Sequence, residues 1–481
     1  MTDHAVVIAG AGPTGMMLAA ELTLAGTDVV IVERRATYEL ESPRSRGLHS
    51  RTVEVLDQRG IVDRFLAEGK AMQVQAFGGV PLDISDFPTR HNYGLALSQS
   101  HFERIMSGWI DGLGVPVLRE GEVTGFTQDD NGVHVALSDG TWVRAQFLVG
   151  CDGGRSVVRK AAGIDFAGWD ATTCWIHAEV EMEEMPQFGI RGGGGIGPAE
   201  EGRVGVTLIE PDVNRTDEPT LEDLRSALIR VDGTDHGAHS PRFISRFTDM
   251  TRQAVAYRSG RVLIAGDAAH VHAPLGGQGL NLGVQDAVNL GWKLAQVVSG
   301  TSPLNLLDTY QAERHPIAAR VLRNTMAQKA LGATDDRSLA LRETVVELLR
   351  MDEPRKHIAA MIAGLDIAYD LGEGHPLLGR RMPDLELSTA DGAVRVFSLL
   401  HQAKSVLLDF GEAGGLGIGR WADRVQLVNA TYGGAWELPL LGEVAAPTAV
   451  LVRPDGHVAW VGDGTDAGLR DALTLWFGRE M

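Results

Sequence analysis

Ala5-Val6-Val7-Ile8-Ala9-Gly10-Ala11-Gly12-Pro13-Thr14-Gly15 is the stretch around which the chain is organised. It reads as a buried strand running into a glycine turn, and Met16 to Ala25 continues it as a helix. Val29-Val30-Ile31-Val32 follows and ends on Glu33, where a dinucleotide-binding βαβ unit sets the acid that takes a ribose hydroxyl. Each glycine has its own task. Gly10 makes the tight turn, Gly12 lets backbone approach a pyrophosphate, and Gly15 lets helix and strand pack closely. The phosphates are expected on the helix N-terminus, where free N–H groups and the dipole favour an anion. The glycine spacing alone is weak evidence; strand, turn, helix, second strand and terminal acid together predict dinucleotide binding.

The chain contains its own control. Gly192-Gly193-Gly194-Gly195-Ile196-Gly197 matches the same spacing, but no apolar strand precedes it and Pro198-Ala199-Glu200-Glu201-Gly202 starts no helix. It reads as a flexible loop rather than a second nucleotide site.

Length and charge narrow the classes. With 481 residues, two or three domains with sizeable cores are expected. Lys plus Arg number 44 against 63 Asp plus Glu, a net charge of −19, which argues against nucleic acid or an anionic membrane surface as a partner. Cys151 and Cys174 are the only cysteines, too few for a disulfide framework or thiolate metal site, and they fit a reducing cytoplasm. The first apolar run is too short for an export signal, and no stretch reaches membrane-spanning length, so a cytoplasmic location is expected.

Along the chain, Ser45-Arg46-Gly47-Leu48-His49-Ser50-Arg51-Thr52 leads into a predicted helix, Val53 to Leu66, with Val53, Leu56, Ile61 and Phe65 on one face. Arg46 and Arg51 are thereby delivered towards the pyrophosphate turn. His101 to Gly112 reads as helix. Val115 to Val149 reads as a β-meander ending in Gly150-Cys151-Asp152-Gly153-Gly154-Arg155-Ser156, another strand running into glycines and a helix. Residues 165–258 change to short strand signals, Cys174 to Val180 and Val204 to Ile209 among them, and predict a separate antiparallel sheet inserted into the nucleotide domain. Val262-Leu263-Ile264-Ala265 resumes the first domain. Gly266-Asp267 follows, and Pro274-Leu275-Gly276-Gly277-Gln278-Gly279-Leu280-Asn281 opens a long helix through Val298, a second helix N-terminus offered to a ligand. Helices run on to about Asp370, and strand signals return from Leu377.

Three ordered motifs, Gly10 to Gly15 with Glu33, Cys151-Asp152-Gly153, and Gly266-Asp267 with Pro274 to Asn281, resemble the class A flavoprotein aromatic monooxygenases of the p-hydroxybenzoate hydroxylase fold. Ser45-Arg46-Gly47, Ala96-Leu97-Ser98-Gln99, Val149 to Ser156, Tyr310-Gln311-Ala312-Glu313-Arg314-His315-Pro316 and the tail look most like the bacterial aromatic polyketide hydroxylases of angucycline and tetracycline type. The resemblance spans nearly the whole chain. It implies an α/β fold in which residues 1–72, 101–164 and 259–377 form a Rossmann-like FAD-binding domain, the last piece including interface helices. Residues 73–100 would supply substrate-domain strands, 165–258 the antiparallel substrate sheet, and 378–481 a thioredoxin-like domain. That tail has no cysteine, so a thiol redox role is not implied.

Carried over residue by residue, the resemblance implies that Gly10, Gly12, Pro13, Thr14, Gly15, Glu33 and Arg34 hold the ADP half of FAD. Asp267 would meet the ribityl and pyrophosphate region, and Pro274, Gly277, Gly279, Leu280 and Asn281 would lie under the pyrimidine edge of the flavin. Arg46 and Gln99 look like further FAD contacts, and Asp152 belongs to a motif shared between FAD and the reductant. In the family, NADPH or NADH reduces FAD, O₂ forms a flavin C4a-hydroperoxide, and its outer oxygen attacks an electron-rich ring. The implied substrate is a polycyclic aromatic polyketide in antibiotic biosynthesis, and a homodimer is compatible with this group.

The protein's share of such chemistry is to stabilise anionic reduced flavin and to exclude water. The N–H groups of Gly277 to Asn281 suit the first task, and the inserted sheet would roof the substrate. Arg46 is the expected charged catalytic group, holding substrate oxygens or steadying the flavin. No side chain stands out as a general base. His270-Val271-His272 lacks a third ligand, so no metal is expected. Trp169 and Trp175 are expected in the sheet core rather than in an aromatic cavity. Two readings compete with hydroxylation: Baeyer–Villiger-type oxygen insertion into a ring C–C bond, and a catalytically silent FAD-containing binding or assembly protein.

Overall fold

The computed structural model describes residues 3–40, 45–191, 193–215, 217–333, 335–411 and 416–479. At its centre His4–Ala9 pairs in parallel with Val29–Glu33 on one side and with Trp142–Gly150 on the other, and Val262–Ile264 lies parallel beyond Trp142–Gly150. These strands are buried on both faces, which is why they read as unbroken apolar runs. Ala9 stands level with Gly150, and Gly150 with Ile264. The three glycine motifs therefore emerge side by side from the carboxyl ends of three neighbouring strands, where open α/β sheets bind ligands.

The first helix, Pro13–Leu24, starts with proline in its first turn, a position that needs no N–H. It packs on the long helix Gln278–Val298, and glycines set the approach. A Cβ on Gly283 would lie 2.3 Å from Thr14 Oγ1, and one on Gly291 would lie 2.4 Å from Glu21 Cβ. The expected helix Val53 to Leu66 is two, Ser50–Asp57 and Val62–Leu66, because Gly60 turns the backbone left-handed at φ +68°.

The inserted sheet is five-stranded and antiparallel, with Cys174–Glu181 between Val204–Glu210 and His239–Thr248. Its outer strands correct the reading of the glycine-rich segment as a flexible loop. Gly189–Arg191 and Gly194–Pro198 form a hairpin, and Gly194–Pro198 pairs with Val204–Glu210; Gly192 lies outside the described residues. Gly194 sits at φ +138°, and a Cβ there would lie 2.0 Å from the Thr207 carbonyl, so only glycine allows the strands to approach. Trp169 is 56% exposed rather than buried, while Trp175 is half-buried and stacks on Phe247 at 5.3 Å. Within 73–100, Val74–Phe77 pairs with Val80–Asp83, and Gly94–Ala96 with Gly47–Leu48 and Lys70–Met72, so among the described residues none of these strands joins the inserted sheet.

The tail forms a mixed four-stranded sheet around Ser405–Asp409, parallel to Val425–Asn429 and antiparallel to Ala449–Val452. Buried ion pairs fasten it to the first body. Arg59 pairs with Glu21 at 2.6 Å and donates to the Leu400 and Pro454 carbonyls at 3.0 and 2.8 Å. Arg453 reaches across to Glu313 at 2.6 Å. Among the described residues no helix is long and apolar enough to cross a membrane.

Candidate functional site

The glycine turn separates its three tasks in space. Gly10 lies at φ +101°, and a Cβ there would meet the Cys151 carbonyl at 2.6 Å; one on Gly15 would lie 2.0 Å from the Gly10 carbonyl. Both are closed by their neighbours. Among the described residues, a Cβ on Gly12 meets nothing within 4 Å and no side chain caps the helix that starts there. The turn thus presents open backbone at a bare helix N-terminus, which is what a pyrophosphate requires.

Glu33 closes the second strand and is buried. It accepts from the Ala11 N–H at 2.6 Å, the Arg35 N–H at 2.9 Å and Arg35 Nε at 3.0 Å. Burial pushes its carboxyl up, but these hydrogen bonds and the Arg35 charge outweigh it and hold the group below its ordinary range. Arg35 also donates to Glu103 at 2.9 Å; Gln99 donates to Glu103 at 2.8 Å and accepts from the Ser45 N–H at 3.2 Å. A continuous chain of contacts thus links Glu33 to the segment that carries Arg46. Arg34 points to solvent. Arg35 and Glu103 were missed in the sequence, where two adjacent arginines follow Glu33 and nothing local separates them.

At the second motif Asp152 caps a short helix, accepting from the Val157 and Val158 N–H groups at 2.7 and 3.1 Å. Its other oxygen is buried without a hydrogen-bond partner among the described residues. At the third, Thr14 wedges against Gly266, whose Cβ would lie 2.5 Å from Thr14 Oγ1. The turn hangs from Asp286, a fully buried carboxylate that accepts from the Gly266 N–H at 3.2 Å, His270 at 2.6 Å and Arg314 at 2.7 Å. Burial raises this carboxyl and the Arg314 and His270 charges lower it further, so it stays ionised. His270 is committed to Asp286, and His272 donates to the Ala273 carbonyl at 2.7 Å. Asp267 stands exposed on the turn, 3.7 Å from where a Gly279 Cβ would be.

Pro274 is exposed, Gly276 and Gly277 both take positive φ (+68° and +62°), and the long helix then begins at Gln278. Leu280 packs half-buried on the core. Asn281 works as a clasp: it accepts from the His49 N–H at 2.8 Å and donates to the Gly277 and Gly47 carbonyls at 2.8 and 3.3 Å. Its side chain is thus spent on backbone groups around the start of this helix. His49 lies beneath this turn, its Nε2 3.6 Å from a Gly277 Cβ position. Burial pushes it down to about 4, so it is neutral in the fold. Its contribution to stability is complete above pH 6.5 and is lost as pH falls towards 4, where the unfolded chain binds the proton first. Acid titration of the folding midpoint is expected to show this decline, and His49→Gln to flatten it.

Arg46 projects from the segment clasped by Asn281 and crosses to the inserted sheet, where its guanidinium lies 3.3 Å from Glu179 and 3.5 Å from a Gly205 Cβ position. Its side chain is 56% exposed. Arg51 does not share this place; it is buried, donates to the Gly364 carbonyl at 3.0 Å and pairs with Glu54.

An open glycine at a bare helix N-terminus, a buried acid at the end of the second strand and a second glycine-lined helix start fit FAD. Residues 3–325 match the family described as FAD binding domain, and residues 375–480 the one described as aromatic-ring hydroxylase, C-terminal. A Streptomyces rimosus protein named 12-dehydrotetracycline 5-monooxygenase/anhydrotetracycline 6-monooxygenase is 46% identical over 98% of both chains. The solved OxyS anhydrotetracycline hydroxylase from Streptomyces rimosus superposes with TM-score 0.92 at 44% identity, over 99% of this chain and 100% of that one. CabE, an aromatic hydroxylase from angucycline biosynthesis, superposes with TM-score 0.91 at 42% identity over the whole of both chains. The chain belongs to the FAD-binding aromatic-ring hydroxylases, and is a class A flavoprotein monooxygenase of the angucycline and tetracycline type.

Proposed function

We propose that this protein inserts one oxygen atom from O₂ into a ring of a polycyclic aromatic polyketide in antibiotic biosynthesis, with NADPH or NADH as reductant. The observation that carries the reading is the path of Arg46. It starts on a segment tied by Asn281 to the Gly277 turn and ends at Glu179, on the sheet face that bears Trp175, Phe243 and Phe247. Reduced FAD supplies the activated oxygen. Gly10, Gly12, Pro13, Thr14, Gly15 and Glu33 would hold its ADP half, with Arg34 at the rim and Gln99 acting through Glu103. Asp152 and Asp267 would border its middle, and Pro274, Gly277, Gly279, Leu280 and Asn281 would support the ring. Arg46 contributes permanently charged, fixed donors to the anion that forms, on the flavin or on the substrate.

Arg46→Ala is expected to retain FAD and to consume NADPH, yet to form product about 100-fold less well and release H₂O₂ instead, the scale of losing one charge-stabilising donor. Oxygen-electrode and product assays check it. Normal coupling in that variant would reduce Arg46 to a surface contact with Glu179.

A further inference from the structure

Cys174–Glu181 alternates from Trp175 to Val180. Ile176, Ala178 and Val180 are buried with the helix Leu221–Asp232, so Trp175, His177 and Glu179 share the opposite face, the one that meets Arg46. Neighbouring strands set Thr207 and Ser245 level with His177, Phe243 level with Glu179, and Phe247 level with Trp175. The imidazole lies 5.1 Å from the Phe243 ring and 6.3 Å from the Phe247 ring. Its Nδ1 is 3.1 Å from the Val206 carbonyl and 2.8 Å from the Thr207 hydroxyl. A carbonyl oxygen only accepts, so Nδ1 carries the proton and Nε2 is left with the lone pair. Arg46 reaches this face from the cofactor body, Glu179 flanks it on its own strand, and Arg242 backs Glu179 at 3.7 Å from the neighbouring strand.

We propose that His177 is the base of the reaction: its Nε2 takes the proton from a phenolic or enolic O–H of a polycyclic substrate lying against Trp175, Phe243 and Phe247. This rests on the monooxygenase reading above. The O–H bond breaks, an N–H bond forms, and the oxygen keeps the electron pair that makes its ring nucleophilic. After oxygen insertion the attacked carbon loses its hydrogen as a proton to water, the C–H electron pair restores the aromatic ring, and the imidazolium returns its proton to the ring oxygen. Arg46 faces the phenolate while it exists. Burial first, and then the Arg46 charge, push His177 below 6.5, so the base form is present at neutral pH.

The test uses the FAD-loaded protein and alizarin, a dihydroxyanthraquinone whose colour reports ionisation. Wild type is expected to bind the anion at pH values where the free dye is neutral, and His177→Gln to bind the neutral dye. With a turned-over polyphenol, kcat/KM of the wild type falls only as pH drops through a value below 6.5. His177→Gln is expected to lose about 100-fold at neutral pH, the usual scale of a general base, and to recover in alkali where the substrate ionises unaided. A merely structural histidine would lower the rate evenly at every pH. Neutral dye on the wild type, or parallel pH profiles for the two proteins, would overturn the assignment and leave the monooxygenase intact. Absence of oxygenation by wild type with every polyphenol would overturn both.

Discussion

Gly12→Trp is expected to purify as a folded, colourless protein. The Cβ of residue 12 opens onto empty space, and its φ of −76° suits any residue, so the substitution leaves the turn itself unstrained. An indole there occupies the ground from which backbone meets pyrophosphate, and the whole of that contact is lost. Gly15→Ala is expected to unfold instead, because its Cβ would sit 2.0 Å from the Gly10 carbonyl and the turn must break to admit it. Flavin absorbance and a thermal melt separate the two outcomes. Full FAD occupancy in folded Gly12→Trp would falsify the assignment of this turn.

The second large effect is on stability. Arg453 has no exposed surface; it meets Glu313 with two hydrogen bonds at 2.6 and 2.9 Å and Asp455 at 2.5 Å. Lys293 adds a third cation-to-carboxylate contact, 2.9 Å from Glu313. Burial raises the Glu313 carboxyl, but Arg453 and Lys293 outweigh it and hold it at about 2. Arg453→Met strands two buried carboxylates, which typically costs about 3–5 kcal/mol. Denaturant unfolding measures it, and a change under about 1 kcal/mol would show that water or Lys293 replaces the lost partner. The stability that Glu313 contributes is complete above its unfolded value of 4.5 and disappears as pH falls towards 2. The same cluster has a functional address. Asn289 lies on the long helix whose first turn is the glycine cradle, and it donates to Glu313 at 2.6 Å and to Asp455 at 3.3 Å. The tail, which contains no cysteine, therefore braces the helix that starts at the glycine-lined turn.

What was legible in the sequence was local. A buried strand, three glycines and a terminal acid sit within one short segment, and their order implies one backbone path; the two later motifs repeat that logic. What was hidden depended on partners far along the chain. Asp286 reads as an unremarked acid in an amphipathic helix until Gly266, His270 and Arg314 converge on it. Asn281 reads as a ring contact, yet its side chain clasps Gly47, next to Arg46. The glycine-rich segment was misjudged because glycine lowers strand propensity, whereas here it is the absence of side chains that lets two strands meet. His177 carried a readable signal, the alternation of Trp175, His177 and Glu179 with Ile176, Ala178 and Val180, but only the facing Arg46 gives that face a purpose.

The most direct test is mass spectrometry of the products formed from a panel of polyphenolic polyketides by purified protein with NADPH and isotopically labelled O₂. The expected result is one labelled oxygen atom in an intact aromatic ring, formed with matching NADPH consumption. A labelled lactone would replace hydroxylation by insertion into a ring carbon–carbon bond. Unlabelled product, or flavin that NADPH and NADH fail to bleach under any of these substrates, would contradict the oxygenase account itself.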